Sequence, residues 1–396
     1  ARAEPVRDAN GVVAARAPKT ARAFLKVYTQ LGKANLSALV VSSASCGFLL
    51  AGAPVDAAGL AAVTLGVGLQ SFAANTFNQV YEIKTDALMN RTRARPLPAG
   101  RISRQHAVAF GMANAFAGTA LLSAFCNPIA ASLGVANIVL YSCVYTPMKQ
   151  LSIYNTHVGA IVGAIPPLIG YSAATGTLSI EAGILGACLF FWQFPHFYAI
   201  AYMHKNDYLA GNHKMMPCFD ATGARTARSL IGNSLALTTL PLAAYSLGIT
   251  GAMFPLESVA FNTYMLYSAY QFKANPTVGT ARKAFRATLL YLPVFMGLMI
   301  FHKNGWSQED HDASPIAALK ATSHPPTPVP EPGSIQDRLV RAKSAMRSVC
   351  IHEYLTSPPL TRLQENATDA ALVEVPPSES SSPLCPVSHA SKALRA

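Results

Sequence analysis

Charged side chains are scarce in this sequence of 396 residues, and acidic ones are the scarcest. Lys and Arg together number 31, Asp and Glu only 19, and charged residues make up 13% of the chain. Soluble domains usually contain about 25% charged residues. Hydrophobic residues, in contrast, account for 51%. This composition argues against a soluble protein and indicates that a lipid bilayer surrounds much of the chain.

Cysteine is also used sparingly, and its spacing carries no metal or disulfide pattern. The seven cysteines include no Cys-x-x-Cys pair; they stand at positions 46, 126, 143, 188, 218, 350 and 385. A disulfide framework or a zinc site would need closely spaced pairs. Most of these cysteines fall within apolar stretches, where the thiol behaves as a small apolar group.

Long apolar runs are abundant. Nine stretches of about 20 residues are apolar enough to cross a bilayer. Their approximate limits are 34–53, 57–78, 105–125, 128–146, 156–174, 180–201, 229–249, 253–271 and 284–302. None has the charged face of a soluble amphipathic helix. The sequence therefore predicts an all-α, polytopic membrane protein, a bundle of nine transmembrane helices with a central apolar cavity.

Basic residues lie on one side of this predicted bundle. The segment before span 1 and the loops after spans 2, 4, 6 and 8 contain Lys and Arg, whereas the loops after spans 1, 3, 5 and 7 contain none. This asymmetry follows the positive-inside rule. The basic side is therefore predicted to face a bacterial cytoplasm or the matrix or stroma of an organelle. The same distribution argues against nucleic acid as a partner, despite a net charge of +12.

The two ends of the chain differ from the apolar body, and three regions are predicted. Residues 1–33 form a basic N-terminal arm, which has the composition of a transit-peptide remnant. Residues 34–303 form the nine-helix domain. Residues 304–396 are rich in Pro and Ser, with 12 of the 27 prolines beyond position 306, and are predicted to be a disordered tail.

The few acids of the body fall into a pattern. Asn78, Glu82 and Asp86 are spaced i, i+4, i+8, so a continuing helix would present them as one stripe. Oxygen ligands at a membrane boundary suit Mg²⁺, which binds one or two carboxylates together with substrate phosphates. Arg91 and Arg95, again four apart, could clamp a phosphate. Topology explains basic residues but not this acidic stripe, because acids contribute little to orientation.

Two more polar segments are predicted on the basic side. The segment 192–217 contains His196, Lys205 and Asp207, and Asp207 could complete a metal site with the stripe. The segment 145–167 contains Lys149 and Asn155, which could add phosphate contacts. Taken together, these segments indicate a site that binds a molecule with an anionic head and an apolar tail. A polyprenyl diphosphate fits that description.

The segment "NQVYEIKTDALMNRTRARPLPAG" resembles the first motif of the intramembrane aromatic prenyltransferase superfamily, N-D-x-x-D-x-x-x-D. Asn78, Gln79, Glu82 and Asp86 occupy its four positions, with Gln79 in place of the second Asp. The continuation M-x-R-T-x-x-R-P-L, at 89–97, resembles the branch that farnesylates haem b.

Two further segments, in the same order along the chain, resemble that branch. They are "YTPMKQLSIYNTHVGAIVGAIPPLIG" and "WQFPHFYAIAYMHKNDYLAGNHKMMP". In the second, Gly211 stands where many superfamily members have another Asp. The match covers roughly residues 24–303.

The resemblance implies a reaction and a set of residues. Farnesyl diphosphate would ionise with help from Mg²⁺, a vinyl group of haem b would attack the allylic cation, and water would complete the hydroxyethylfarnesyl side chain of haem O. The implied metal ligands are Asn78, Glu82, Asp86 and Asp207. The implied catalytic residues are His196, Arg91, Arg95, Lys149 and Lys205. The implied substrate contacts are Asn75, Asn155, Tyr208 and Lys214. His196 is a candidate haem contact, and packing against Trp192 is the alternative.

Three rival functions stay open at this point. A prenyltransferase for a quinone or chlorophyll precursor would share the acidic stripe. A polytopic transporter would place polar groups near the midplane, and a scaffold would retain the fold without activity. The basic, acid-poor start of the sequence and the long predicted tail indicate a eukaryotic organelle, and the mitochondrial inner membrane with the site facing the matrix is the prediction; a plastid or bacterial membrane is the alternative. The resemblance implies a role in haem A synthesis and cytochrome oxidase assembly, with haem A synthase as a partner.

Overall fold

Helices make up almost all the regular structure in residues 20–52 and 54–304, the part of the chain that the computed structural model describes. Its α-helices are α1 (Ala21–Leu31), α2 (Ala34–Leu49), α3 (Ala57–Tyr81), α4 (Ile83–Leu88), α5 (Arg104–Phe125), α6 (Pro128–Val139), α7 (Thr146–Leu151), α8 (Asn155–Thr175), α9 (Ile180–Met203), α10 (Lys205–Ala210), α11 (Ala224–Ser246), α12 (Met253–Ala274) and α13 (Val278–Phe301). A π-helical segment, Leu140–Tyr145, joins α6 to α7, and Met216–Phe219 form a short 3₁₀ helix. The predicted all-α class is confirmed.

Each predicted span overlaps a helical segment of this part, and the span 128–146 covers α6, the π-helical segment and the start of α7. The segments differ in apolarity. Six segments are long and apolar enough to cross a membrane: Ala57–Tyr81, Arg104–Phe125, Pro128–Leu151, Asn155–Thr175, Ile180–Met203 and Val278–Phe301. Helix α2 is apolar but has only 16 residues. Polar residues lower the apolarity of α11 and α12, among them Arg225, Arg228 and Glu257. The count of nine spans therefore stays a prediction.

Large apolar side chains cover outward-facing surfaces of the long helices. Leu65 on α3, Phe116 on α5 and Leu242 on α11 are all strongly exposed. Exposed apolar area of this extent is costly in water and favourable in contact with lipid tails. The surface is therefore that of a protein embedded in a bilayer.

Buried apolar side chains form four groups in the described part of the chain, and two of them connect most of the long helices. One lies among α9, α11, α12 and α13 and includes Trp192, Leu237 and Phe254. The other lies among α2, α3, α5, α6 and α8 and includes Val63 and Leu122. Helix α8 packs against α9 and so connects the two groups.

Helices α2 and α8 approach each other so closely that only glycine fits at their crossing. A Cβ atom on Gly47 would overlap the carbonyl oxygen of Pro167, and one on Gly170 would overlap that of Ala44. Small residues permit such contacts between membrane helices, where packing replaces the hydrophobic effect as the force for association. This crossing fixes α2 against the centre of the bundle, and with it Lys33, the residue that precedes α2.

Polar residues gather where the helices end on the basic side. Helix α3 ends at Tyr81, yet the helical bonds continue, because Glu82 N–H donates to Asn78 O (3.0 Å) and Asp86 N–H donates to Glu82 O (2.7 Å). The stripe predicted from the i, i+4 spacing therefore has helical geometry. The short helices α4 and α10 contact each other at this end.

The predicted terminal regions are described only in part. Of the predicted arm 1–33, residues 20–33 are described; they contain α1, in which Val27 and Leu31 are buried while Phe24 and Leu25 are exposed. Of the predicted tail 304–396, all but Asn304 lie outside the described residues. The three-region division stays a prediction.

Candidate functional site

A cavity of about 430 Å³ opens among the helix ends on the basic side and extends into the bundle. Its mouth is charged; the charged residues that line it are Lys33, Glu82, Asp86, Arg91, Arg95 and Lys149. Its depth is mainly apolar, with Val40, Val67, Ile138, Pro166 and Ile169 among the lining residues. A charged mouth above an apolar interior suits a ligand with an anionic head and a hydrocarbon tail.

Two buried carboxylates lie at the mouth, each paired with basic groups. Glu82 Oε1 accepts a hydrogen bond from Lys149 Nζ at 2.8 Å, and its Oε2 lies 3.9 Å from Arg95 Nη1. Asp86 Oδ2 accepts from Arg95 Nη1 at 2.7 Å. Buried charges persist only when they are paired in this way. Arg95 therefore bridges the two acids that the sequence placed on one stripe.

These surroundings lower the pKa of one carboxyl group and raise the pKa of the other. Burial alone would raise the pKa of Glu82, but the charges of Lys149 and Lys33 lower its pKa to about 2. Burial raises the pKa of Asp86; the charge of Arg95 opposes this rise and that of Glu82 adds to it. Glu82 is thus the carboxylate that is ionised under all ordinary conditions.

Lys33 completes the charged mouth and was missed by the sequence analysis. It has a left-handed backbone (φ 48°) at the start of α2, and its Nζ donates to Asn78 Oδ1 at 2.6 Å. Burial, then the charges of Arg95 and Lys149, lower its pKa well below the usual value for lysine. In the sequence Lys33 is the last residue of the predicted basic arm 1–33. Only the fold of α1 and α2 places it in the wall of the cavity.

The lysine of the central segment has a similar setting. Lys149 lies on α7, directly after the π-helical segment, and its Nζ is 4.8 Å from the ring centre of Tyr145. Tyr141, also on the π-helical segment, lines the cavity and its hydroxyl is 3.4 Å from Lys33 Nζ. Neither tyrosine was among the predicted site residues. Aromatic faces favour cations placed over them, so these rings help to hold the lysine charges.

Asn78 and Gln79, two members of the first motif, make structural bonds. Asn78 is fully buried, is absent from the cavity lining, and donates from Nδ2 to Thr146 Oγ1 at 3.0 Å. Gln79 Nε2 donates to the carbonyl oxygens of Gln30 (2.9 Å) and Leu31 (2.7 Å) at the end of α1. The last carbonyls of a helix lack intrahelical donors, although that of Gln30 also accepts from Lys33 N–H at 3.2 Å. A carboxylate cannot donate, which gives a physical reason for Gln at this position.

Asp207 is bonded to the backbone of the loop that follows α4. Its two oxygens accept from Asn90 N–H and Arg91 N–H, both at 3.1 Å. The guanidinium of Arg91 lies 5.6 Å from the ring centre of Tyr208, next along α10. Asp207 thus ties α10 to the loop that carries Arg91. It lines a neighbouring cleft rather than the cavity that Glu82 and Asp86 line.

Several other predicted residues support the loops at the mouth. Lys205 Nζ donates to Asp220 O (3.2 Å) and lies 3.9 Å from the ring centre of Tyr202. Asn155 is fully buried and donates to Lys214 O at 2.8 Å. Lys214 Nζ is exposed and makes one long bond, 3.4 Å, to a backbone carbonyl. None of these three lines the cavity.

Asn75 and Tyr208, the remaining predicted substrate contacts, do line the cavity. Asn75 Nδ2 donates to Gly32 O (3.2 Å) and Ser37 Oγ (3.1 Å), so it also supports the bend between α1 and α2. Another lining residue that the sequence analysis missed is His213, whose pKa burial lowers to about 4. His213 is therefore neutral at pH 7.

His196 is a residue of α9 that faces α13, and it does not line the cavity. Its ring stacks on Trp192 with 4.5 Å between centres, and its Nδ1 is 2.9 Å from Thr288 Oγ1. Trp192 Nε1 donates to Thr288 O at 2.7 Å. These contacts agree with the packing alternative for His196.

The predicted metal ligands divide into two places. Glu82 and Asp86 present hard oxygen atoms at the cavity mouth, which is the donor chemistry that Mg²⁺ prefers. Among the described residues, no three His, Cys, Asp or Glu side chains form a cluster that could hold a metal by themselves. Two carboxylates fit Mg²⁺ only if substrate phosphates supply further ligands, as is common for this ion.

Comparison with known proteins gives one family. Residues 39–299 match the model of the UbiA prenyltransferase family. The chain is 44% identical over 282 residues to the mitochondrial protoheme IX farnesyltransferase of Arabidopsis thaliana, covering 71% of this chain and 65% of that protein. It is 42% identical to the human protein of the same name, covering 69% and 61%. The chain thus spans less than two thirds of the length of these two relatives.

A bacterial relative is matched over its whole length. The protoheme IX farnesyltransferase of Solibacter usitatus is 35% identical over 292 residues, which cover 71% of this chain and 100% of that protein.

Solved structures with this fold share little sequence with the chain. A digeranylgeranylglyceryl phosphate synthase superposes with a TM-score of 0.60 at 17% identity, covering 70% of this chain and 98% of that one. A UbiA homologue from Archaeoglobus fulgidus, bound to DMAPP and Mg²⁺, superposes with a TM-score of 0.54 at 15% identity, covering 69% and 99%.

Proposed function

Because the chain belongs to the UbiA prenyltransferase family, we propose that it transfers the farnesyl group of farnesyl diphosphate to a vinyl group of haem b, giving haem O. The observation that carries the proposal is the cavity mouth, where Glu82 and Asp86 lie buried among Lys33, Arg95 and Lys149 above an apolar interior. The names of the relatives in a plant, an animal and a bacterium support haem as the acceptor.

The charges at the mouth favour a magnesium diphosphate. Four basic residues, Lys33, Arg91, Arg95 and Lys149, line the mouth beside two carboxylates. Positive charge therefore exceeds negative charge there even with the lowered pKa of Lys33, and the surplus attracts a polyanion. Glu82 and Asp86 would hold Mg²⁺ together with diphosphate oxygens, and the ion would neutralise the charge that the leaving diphosphate acquires. The A. fulgidus structures with prenyl diphosphates and Mg²⁺ are consistent with such a site.

The basic residues then act on the leaving group. The bond between C1 of the farnesyl group and the diphosphate oxygen breaks, and its electron pair leaves with the diphosphate. Arg95 and Lys149 would stabilise that growing negative charge, which is an interaction stronger in the transition state than in the ground state. To meet the diphosphate, each must exchange part of its present bond to a carboxylate.

The apolar interior has its own part in the reaction. C1 bonds to the terminal carbon of the vinyl group, the resulting cation takes up the oxygen of a water molecule, and one proton is released. Residues such as Val67 and Ile138 exclude other water from the allylic cation until the carbon–carbon bond has formed. Tyr208 and Asn75, at the cavity wall, would contact the substrates.

The residues outside the cavity would act indirectly. Asp207 would position Arg91 against the diphosphate by holding its backbone, and Asn78 would position Lys33. His196 would brace α9 against α13 through Trp192 and Thr288. Lys205, Asn155 and Lys214 would order the loops around the mouth.

We further propose that the protein acts in the mitochondrial inner membrane with the mouth toward the matrix, and that its product serves haem A synthesis, through haem A synthase as a partner, and cytochrome oxidase assembly. The names of the two relatives first described support the compartment, and the one-sided basic residues support the orientation.

The test is a reconstituted reaction. Purified full-length protein in lipid nanodiscs is incubated with haem b, farnesyl diphosphate and Mg²⁺, and the haem products are analysed by mass spectrometry. Haem O is expected, and its formation should stop when EDTA is added. Prenylation of a quinone precursor in a parallel incubation, without haem O, would contradict the proposal.

A further inference from the structure

The deep part of the cavity contains two matched contacts between a glutamine and a glycine. Gln70 of α3 rests against Gly134 of α6, and Gln193 of α9 rests against Gly163 of α8. A Cβ atom on either glycine would overlap the amide of its glutamine. All four residues line the cavity. Two buried amides therefore line the interior, one at the contact of α3 with α6 and one at the contact of α8 with α9.

Hydrogen bonds hold both amides in place. Gln70 Nε2 donates to Thr119 Oγ1 at 3.1 Å. Gln193 Nε2 donates to two backbone carbonyls, those of Ala160 and Leu189, both at 3.0 Å. The two glutamines are only 4% and 6% exposed. Because they are buried and anchored, these side chains cannot easily swing aside for a ligand.

The wall that they form is unsuited to a hydrocarbon. Gln70 Oε1 and Asn137 Oδ1 are shielded from solvent and have no hydrogen-bond partner within the described part of the chain. Asn137 follows Gly134 by one helical turn, so the two share a face of α6. An isoprenoid chain has no donor to offer these oxygens, so its approach would bring no compensating hydrogen bond.

The position of this wall matches the length of a farnesyl chain. Gln70 precedes Glu82 by 12 residues (82 − 70) along α3 and its continuation, which at about 1.5 Å per residue corresponds to ~18 Å. A farnesyl group has twelve carbons along its main chain and extends ~14 Å with carbon–carbon bonds of about 1.5 Å. The remaining length accommodates the diphosphate. A geranylgeranyl group would be longer by one isoprene unit and would meet the amides.

We propose that the contacts Gln70–Gly134 and Gln193–Gly163 narrow the cavity between its mouth and its apolar end at Val67 and Ile169, and so set the length of the prenyl chain, favouring 15 carbons over 20. This inference rests on the proposed function in that it takes a prenyl diphosphate as the substrate. The fixed amides act by steric exclusion, because both side chains are buried and anchored by hydrogen bonds.

Shortening the anchored side chain should admit the longer substrate. With Gln70→Ala, kcat/KM for geranylgeranyl diphosphate should rise relative to kcat/KM for farnesyl diphosphate. We expect the ratio of the two to increase about tenfold, which is the usual order when a hydrophobic pocket gains room for a small hydrocarbon group. Asn114→Ala is the control, because Asn114 is a buried amide on the neighbouring α5, outside the cavity lining. It should leave the ratio unchanged.

Adding one methyl group should have the opposite effect. With Gly134→Ala, the new Cβ would displace the Gln70 amide into the cavity, so use of farnesyl diphosphate should fall while that of the ten-carbon geranyl diphosphate is retained. Gly232→Ala is the matched control, since its Cβ would meet no atom within 4 Å. In the double variant Gln70→Ala, Gly134→Ala, the overlap is absent and folding should be normal.

Binding and turnover together separate this inference from the proposed function. Displacement of radiolabelled farnesyl diphosphate by the 10-, 15- and 20-carbon diphosphates gives the length preference even without transfer. If the wild type transfers no prenyl group but the variants shift the displacement series, the proposed acceptor is wrong and the length assignment holds. If Gln70→Ala and Gly134→Ala both keep the wild-type length preference in folded protein, the assignment is overturned.

Discussion

The segments 78–97 and 192–217 contain the same kinds of residue and end on the same face of the bundle, yet they use their carboxylates differently. In the first, Glu82 and Asp86 face the cavity and pair with Arg95 and Lys149. In the second, Asp207 bonds to two backbone N–H groups of the first segment. Residue type and spacing therefore predict where charged side chains gather, but not which carboxylate is available to a ligand.

The largest effect is expected from the carboxylates of the first segment. Asp86→Ala and Glu82→Ala should each lower farnesyl transfer by about 10³-fold, as expected when charge stabilisation of a transition state is removed. Initial rates of haem O formation measure this. The control is Asp220→Ala, three residues beyond the second segment, which removes a carboxylate that accepts bonds from Thr226. Equal losses at all three positions in folded protein would show that the cavity-facing carboxylates have no special role.

The next largest effect on turnover is expected from a substitution of Lys33. Lys33→Met approximately keeps the volume of the buried chain and removes the amine. Burial lowers the pKa of this amine in the free protein, but an adjacent diphosphate would favour its charged form, so turnover should fall by about 10²-fold in the variant. The apparent KM for farnesyl diphosphate should rise as well, because binding loses one positive charge. Lys26→Met, a lysine of α1 that does not line the cavity, is the control. Turnover within twofold of the wild type in Lys33→Met would show that its charge does not act on the substrate.

Asp207→Asn should have an intermediate effect that reveals its mechanism. An amide can accept only one of the two backbone bonds, so the loop carrying Arg91 should loosen and turnover should fall about tenfold. The apparent KM for Mg²⁺ should stay at the wild-type value. Asp86→Asn, measured alongside, is the reference for the loss of a metal ligand. An equal rise of the apparent KM for Mg²⁺ in Asp207→Asn would make Asp207 a metal ligand, as the motif resemblance implies.

The smallest effect on catalysis, and a measurable one on stability, is expected for Gln79→Glu. The new carboxylate cannot donate to the carbonyls of Gln30 and Leu31 and would face them with like charge. The free energy of unfolding should fall by about 2 kcal/mol, the usual order for unsatisfied buried polar groups. The thermal midpoint in detergent measures it. An unchanged midpoint would mean that Gln79 does not fix α1.

Much of the fold follows from the sequence because lipid contact demands long apolar helices, and each predicted span coincides with a helix of the described part. The charged mouth follows too, because Glu82, Asp86, Arg95 and Lys149 are exceptional in so apolar a chain. Lys33 does not, since its burial depends on the bend between α1 and α2. The bonds of Asp207 depend on the packing of α10 against α4, a tertiary contact without a local pattern.

The central claim is that Glu82 and Asp86 hold a magnesium diphosphate at the cavity mouth. The most direct test is the anomalous signal of Mn²⁺ in crystals of the protein with an unreactive farnesyl thiodiphosphate. We expect Mn²⁺ within coordination distance of both carboxylates, and the farnesyl chain extending toward Gln70. A metal bound by Asp207 in the neighbouring cleft, with the mouth at Glu82 and Asp86 free of metal and diphosphate, would contradict the claim.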